Sequence, residues 1–108
     1  MALSYAAMIT RIVRMEFQPA HVNDFLAHFE TVKSSIRHFP GVQQLELHRD
    51  ASQPNVLYTF SKWNGASDLE AYRKSELFKG AWTQAKSWFA GKPQAFSLLQ
   101  EMVVKQIT

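Results

Sequence analysis

The chain has 108 residues, a net charge of +3 from 12 basic and 9 acidic side chains, and no cysteine. That length suits one domain with a single modest core, and the lack of cysteine excludes disulfides, thiolate metal sites and a thiol nucleophile. The basic residues are scattered among acids, which argues against a nucleic-acid face, and no apolar stretch is long enough for a membrane helix.

Eight Phe, three Trp and three Tyr make an aromatic-rich chain, and so many rings need a core, a pocket or a partner to cover them. Residues 1–7 are expected to be a short N-terminal extension. They lack the basic start of a secretory signal, so the cytoplasm is the expected location. The domain itself is expected over residues 8–105.

Met8 to Phe17 reads as a strand, with Ile9, Val13, Met15 and Phe17 on one parity and Thr10, Arg14 and Glu16 on the other. Pro19 suits the first turn of a helix. Val22, Phe25, Leu26, Phe29, Val32 and Ile36 then follow helical spacing and form one apolar stripe. Pro40 and Gly41 stop that helix. Val42 to Arg49 alternates again, placing Leu45 and Leu47 opposite Gln44, Glu46 and His48. A turn follows over residues 50–55, and then a third strand, Val56 to Trp63.

Ser67 and Glu70 have the spacing of a capping box. Leu69 and Tyr72 face inward from the short helix this box opens, and Ser75 is positioned to cap a second one. Phe78, Ala81, Trp82, Ala85, Trp88 and Phe89 continue at helical spacing until Gly91 and Pro93. Ala95 to Val104 is expected as the last strand, with Phe96, Leu98, Met102 and Val104 on one face.

The order βαββαβ, with its second helix broken, is that of an α+β ferredoxin-like sandwich. Right-handed crossovers place the helices on one face of a four-stranded antiparallel sheet. Ile12, Leu99 and Val103 fall on the parity opposite their apolar neighbours, so the second sheet face is partly apolar too. Such a face calls for another sheet, and a homodimer packed sheet to sheet is expected.

These segments resemble the antibiotic biosynthesis monooxygenase (ABM) family of the dimeric α+β barrel superfamily. The resemblance rests on Ile9 to Met15, Phe39-Pro40-Gly41, Tyr58 to Trp63, and Ser67 to Tyr72 leading on to Ser75 and Phe78, and it runs from about Met8 to Val104. It implies a dimeric α+β barrel with a pocket between sheet and helices in each subunit. Members oxygenate polycyclic phenols or quinols without metal or flavin, degrade haem, or turn over small carbonyl compounds. In the haem-degrading branch a tryptophan and an iron-ligating histidine stand where this chain has Tyr72 and Trp82. An indole cannot ligate iron, which argues against haem degradation.

In the phenol-oxygenating branch the tryptophan that ends the third strand belongs to the pocket, and Trp63 matches it. The expected site therefore has Trp63, Tyr72 and His48 as catalytic candidates. The Trp63 and Tyr72 donors orient a substrate oxygen, and His48 is the candidate base because its ordinary pKa lies near neutrality. Arg14 or Arg49 is the candidate for stabilising negative charge. Thr59, Phe25, Phe29, Phe78 and Trp82 are the candidate substrate-binding residues. The expected reaction takes a small aromatic, phenolic or quinol-like molecule and molecular oxygen, with no cofactor and no metal.

Each nomination has a packing alternative. Trp63 equally suits sealing the strand end, Phe78 and Trp82 fit the apolar stripe, and His48 shares its parity with polar residues. His21, His28 and His38 read as surface residues. A non-catalytic small-molecule binding protein of the same fold is the alternative function.

Overall fold

The computed structural model describes residues 7–107; of the expected extension only Ala7 lies within them. The elements run β1 (Ile9–Glu16), α1 (Val22–Arg37), β2 (Val42–Arg49), β3 (Val56–Trp63), α2 (Ala66–Arg73), α3 (Glu76–Lys86) and β4 (Gln94–Leu99), with a 3-10 turn at Pro19–His21. The sheet order is β2-β3-β1-β4 and every pairing is antiparallel. Met15, Leu57 and Trp63 are buried on one sheet face beneath Phe25 of α1, Leu69 of α2 and Ala85 of α3. The α+β ferredoxin-like sandwich is thus present, with its helices on one face.

Local chemistry explains most of the boundaries. Pro19 opens the 3-10 turn that leads into α1, as its fixed φ allows. Gly41 follows that helix with φ +93°, and a Cβ there would lie 2.5 Å from Asp68 Cβ. Only glycine meets both demands without strain. Its carbonyl accepts from Asn64 N–H at 2.8 Å, so the start of β2 is tied to the end of β3. The register then shifts between Val42 and Gln44. This bulge lets Val42 face the helices together with Leu45 and Leu47, although their numbers differ in parity.

Three expectations need correction. Ser67 and Glu70 form no capping box: α2 begins at Ala66, Gly65 is its N-cap, and no side chain caps it. Ser67 therefore lies two residues past the N-cap, too deep to act as the cap. The second break is capped as expected, because Ser75 Oγ accepts from Phe78 N–H at 3.1 Å and donates to the Tyr72 carbonyl at 2.6 Å. The apolar run of the last helix outlives the helix itself. α3 stops at Lys86, and Phe89 instead bridges Phe17 in the sheet, so its ring reaches the same core from extended backbone.

The last strand is also shorter than expected. β4 ends at Leu99, the residue that pairs with Ile9 at the start of β1. Without a described partner strand beyond that point, residues 100–107 carry no regular structure and are exposed.

The other sheet face carries a cross-strand apolar row, Phe60–Ile12–Phe96, set by the β3–β1–β4 register. Phe96 is 48% exposed and Leu98 47%.

Candidate functional site

The interior is divided. One buried cluster joins Met15, Phe17, Val22, Phe25, Leu57 and Ala85, and a second joins Val42, Trp63 and Leu69. Between them lies a cavity of about 320 Å³ with Met15, Phe25 and Ala85 on one side and Trp63, Leu69 and Tyr72 on the other. That size falls within the usual range for small-molecule pockets. Largely apolar walls with a few polar groups suit such a space to a small-molecule occupant.

Aromatic rings form the helix-side wall. Tyr72 meets Trp63 at 5.0 Å and Phe78 at 5.2 Å between ring centroids, and Phe78 stacks on Trp82 at 5.8 Å. Across the cavity Phe25 contacts Phe29 at 5.9 Å. The chain places these rings by two devices. α1 presents Phe25 and Phe29 on its inward stripe, and the Ser75 cap restarts the helix so that Phe78 and Trp82, four residues apart, share a face.

Seven of the eight nominated residues line this cavity: Trp63, Tyr72, Thr59, Phe25, Phe29, Phe78 and Trp82. His48 does not. It is exposed on the opposite sheet face, beside Phe60, with its Nε2 2.7 Å from Glu46 Oε1. β2 alternation puts it there, across the sheet from Leu47. Neither Arg14 nor Arg49 lines the cavity either.

The donors are more constrained than their residue types suggest. Trp63 is 1% exposed, and its indole N–H already donates to Ser61 Oγ at 3.0 Å. It is a structural donor rather than a free one. Burial pushes the Tyr72 hydroxyl up to about 12, so it stays protonated and acts as a donor, never as a base, near neutrality.

Four polar lining residues were missed from the sequence: Arg11, His28, Ser61 and Arg73. Parity held the signal for two of them. Arg11 lies between Ile9 and Val13 on the inward face of β1, and Ser61 lies between Thr59 and Trp63 on β3. His28 belongs to the Phe25–Phe29–Val32 stripe rather than to the surface. Its Nε2 lies 3.1 Å from the Ala81 carbonyl, which only accepts, so Nε2 is the donor in that bond.

Arg11 donates to Ser97 Oγ at 2.8 Å. Its pKa is lowered, first by burial and then by the charge of Arg73. No group of three or more His, Cys, Asp or Glu side chains with metal-binding placement occurs among the described residues. Among the same residues no helix is long and apolar enough to cross a membrane.

The sequence model for antibiotic biosynthesis monooxygenase matches residues 8–84. No functionally curated protein is a significant match. Among solved structures, a conserved protein from Methanosarcina mazei Go1 superposes with a TM-score of 0.82 at 12% identity, covering 91% of this chain and 97% of that one. A candidate antibiotic biosynthesis monooxygenase from Caulobacter crescentus CB15 superposes with a TM-score of 0.81 at 22% identity, covering 89% and 92%. Another, from Bordetella bronchiseptica, gives 0.79 at 22% identity, covering 90% and 99%. At these identities the likeness establishes the fold.

Proposed function

Because the chain belongs to the antibiotic biosynthesis monooxygenase family, we propose that it is a cofactor-independent monooxygenase acting on a small phenolic or quinol-like aromatic held in the cavity between sheet and helices. Membership alone supports a monooxygenase-like or small-molecule-binding role. The observation that carries the finer reading is the cavity itself, an aromatic-walled space that separates two core clusters and carries a few polar groups on its sheet side.

Such a site meets what the chemistry asks of a protein. An electron-rich phenol gives up its proton, its anion is stabilised, and oxygen reacts with it in a water-poor space. Overall, a phenol with a free para C–H takes up one O2 and leaves as the quinone plus one water. The substrate supplies the electrons, so no external reductant enters the balance. His28 is the imidazole among the lining residues and is the candidate to accept the phenol proton. Tyr72, held protonated, suits the donor role.

On the same reading the protein is a homodimer that buries its Phe60–Ile12–Phe96 row against a second copy. An apolar sheet face with half-buried Phe60 and Ile12 beside exposed Phe96 is what sheet-to-sheet packing covers.

Oxygen uptake by metal-stripped protein, measured across a set of quinols and phenols, tests the reading. Wild-type protein should consume oxygen with at least one of them, and Ala81→Phe, which fills the cavity, should abolish that uptake while its circular dichroism stays unchanged. A folded cavity-filled variant as active as wild type would contradict the site. The alternative, a non-catalytic binding protein, draws on the commitment of the Trp63 N–H to Ser61. It predicts ligands that raise the melting temperature and return unaltered after aerobic incubation.

A further inference from the structure

The polar end of the cavity carries information about its occupant that the aromatic wall does not. Arg11, Ser61 and Ser97 are direct register partners in one row across β3, β1 and β4, with Arg11 in the middle. Directly opposed side chains on one sheet face are close neighbours. We propose that this row, with Arg73 at the rim, is an anion receptor, and that the cavity takes an aromatic carboxylate whose charged end sits on Arg11 and whose ring lies among Phe25, Phe29, Phe78 and Trp82. The inference rests on the reading of the cavity as the ligand site and names the class of ligand.

Three observations carry it. The cavity lining includes two arginines and neither Asp nor Glu. Arg11 forms no ion pair among the described residues, while Arg73 reaches Glu70 only at 3.7 Å on the helix surface. A half-buried guanidinium facing a second cation lacks the compensation that buried charges normally have. An anionic ligand supplies it to both arginines at once.

The second observation is Ser61. It is 7% exposed and lines the cavity. Its oxygen accepts from Trp63, and its own hydrogen has no acceptor among the described residues. Accepting one hydrogen bond strengthens the hydroxyl as a donor. Ser61 therefore adds a buried donor beside the guanidinium. Arg11 itself has about five N–H donors, of which the bond to Ser97 engages one.

The third observation is position. Of all the lining residues only Arg73 and Ala95 are exposed, so the mouth lies between the end of α2 and β4. Arg11 stands just inside it, on the strand next to β4. An entering molecule meets the two cations at the mouth and the rings beyond them. The matched ligand is amphipathic, with a flat apolar body and one anionic end.

A carboxylate fits better than a simple phenol. A phenol with a pKa near 10 is neutral at pH 7, whereas a carboxylate is ionised. The planar guanidinium fork also matches carboxylate geometry.

Binding, read by quenching of the tryptophan fluorescence and confirmed by calorimetry, tests this without requiring turnover. The probes are naphthoate, the neutral naphthyl carbinol of the same shape, and naphthyl phosphate. Wild-type protein should bind naphthoate about tenfold or more tightly than the carbinol, as hydrogen bonds to a charged group suggest. Arg11→Gln should erase that preference, with the larger loss of affinity falling on naphthoate. Arg73→Gln, a surface substitution that leaves the core intact, should reduce the preference several-fold.

Equal affinity for acid and carbinol in wild type would overturn the anion receptor while leaving the cavity as a ligand site. So would a preference that survives both variants. Tighter binding of the phosphate than of naphthoate would overturn the carboxylate assignment. Failure of all three probes to bind would remove the cavity reading, and this inference with it.

Discussion

The indole N–H of Trp63 and the hydroxyl of Ser61, two residues apart on one strand face, are joined by a 3.0 Å hydrogen bond in the buried floor of the cavity. The bond fixes the tryptophan ring against Tyr72 and Phe39. It also leaves the serine hydrogen as the group available to a ligand. The residue that resembled a substrate-orienting donor is thus the support of another.

Ser61→Ala should therefore be costly for a one-atom change. It strands a donor in a side chain that is 1% exposed, and an unsatisfied buried donor costs about 1–3 kcal/mol. Urea unfolding should show that loss in midpoint with an unchanged slope. Ser61→Thr, which keeps the hydroxyl, should recover part of it. A Ser61→Ala variant as stable as wild type would mean that the indole finds water or another acceptor.

The Asp50 turn between β2 and β3 should be the source of an acid-sensitive component of stability. Hydrogen bonds from the Ser52 backbone and hydroxyl, the Tyr58 hydroxyl and the Gln53 backbone hold the Asp50 carboxyl below its ordinary value of 3.8. A depressed folded-state pKa means that the unfolded chain binds the proton first. The contribution is complete above the unfolded value and is lost as pH falls through the folded one. Thermal unfolding from about pH 5 down to pH 2 should show a shallower decline for Asp50→Asn than for wild type. Parallel declines would place the acid sensitivity elsewhere.

Tyr72 should act at the opposite end of the scale. Its hydroxyl is pushed up to about 12 by burial, from an ordinary value of 10.0. The folded state then holds the proton more tightly than the unfolded chain. Stability from this group is complete below the unfolded value and declines as pH rises toward the folded one. Tyr72→Phe should flatten that alkaline decline, and the phenolate absorbance of wild type should show one tyrosine titrating late. A catalytic pH profile should carry no limb from Tyr72 near neutrality.

The fold was largely legible because its signals are local. Alternation in Ile9–Phe17 and helical spacing in Val22–Ile36 each repeat several times, and the caps that mattered, Pro19 and Ser75, act on adjacent backbone. What failed was non-local. The end of β4 at Leu99 is set by where β1 begins, and Phe89 leaves the helix because Phe17 offers it a sheet partner.

At the site, the apolar wall was readable from the same periodicities. Its charged end is hidden in the sequence because Arg11 interrupts an otherwise apolar, helix-facing parity on β1. His48 has the residue type of a base, but its β2 parity places it across the sheet. The bulge at Gln43, which brings Val42 inward beside Leu45, left no mark in the composition.

The most direct test of the account is isotopic. Metal-stripped protein should be incubated under labelled dioxygen with an electron-rich phenol that binds the cavity, and the organic product analysed by mass spectrometry. The account predicts one labelled oxygen atom in the quinone and the other in water, with the product absent from Ala81→Phe. Phenol recovered unchanged from the folded wild-type protein, despite measured binding, would contradict oxygenation and leave a binding protein in its place.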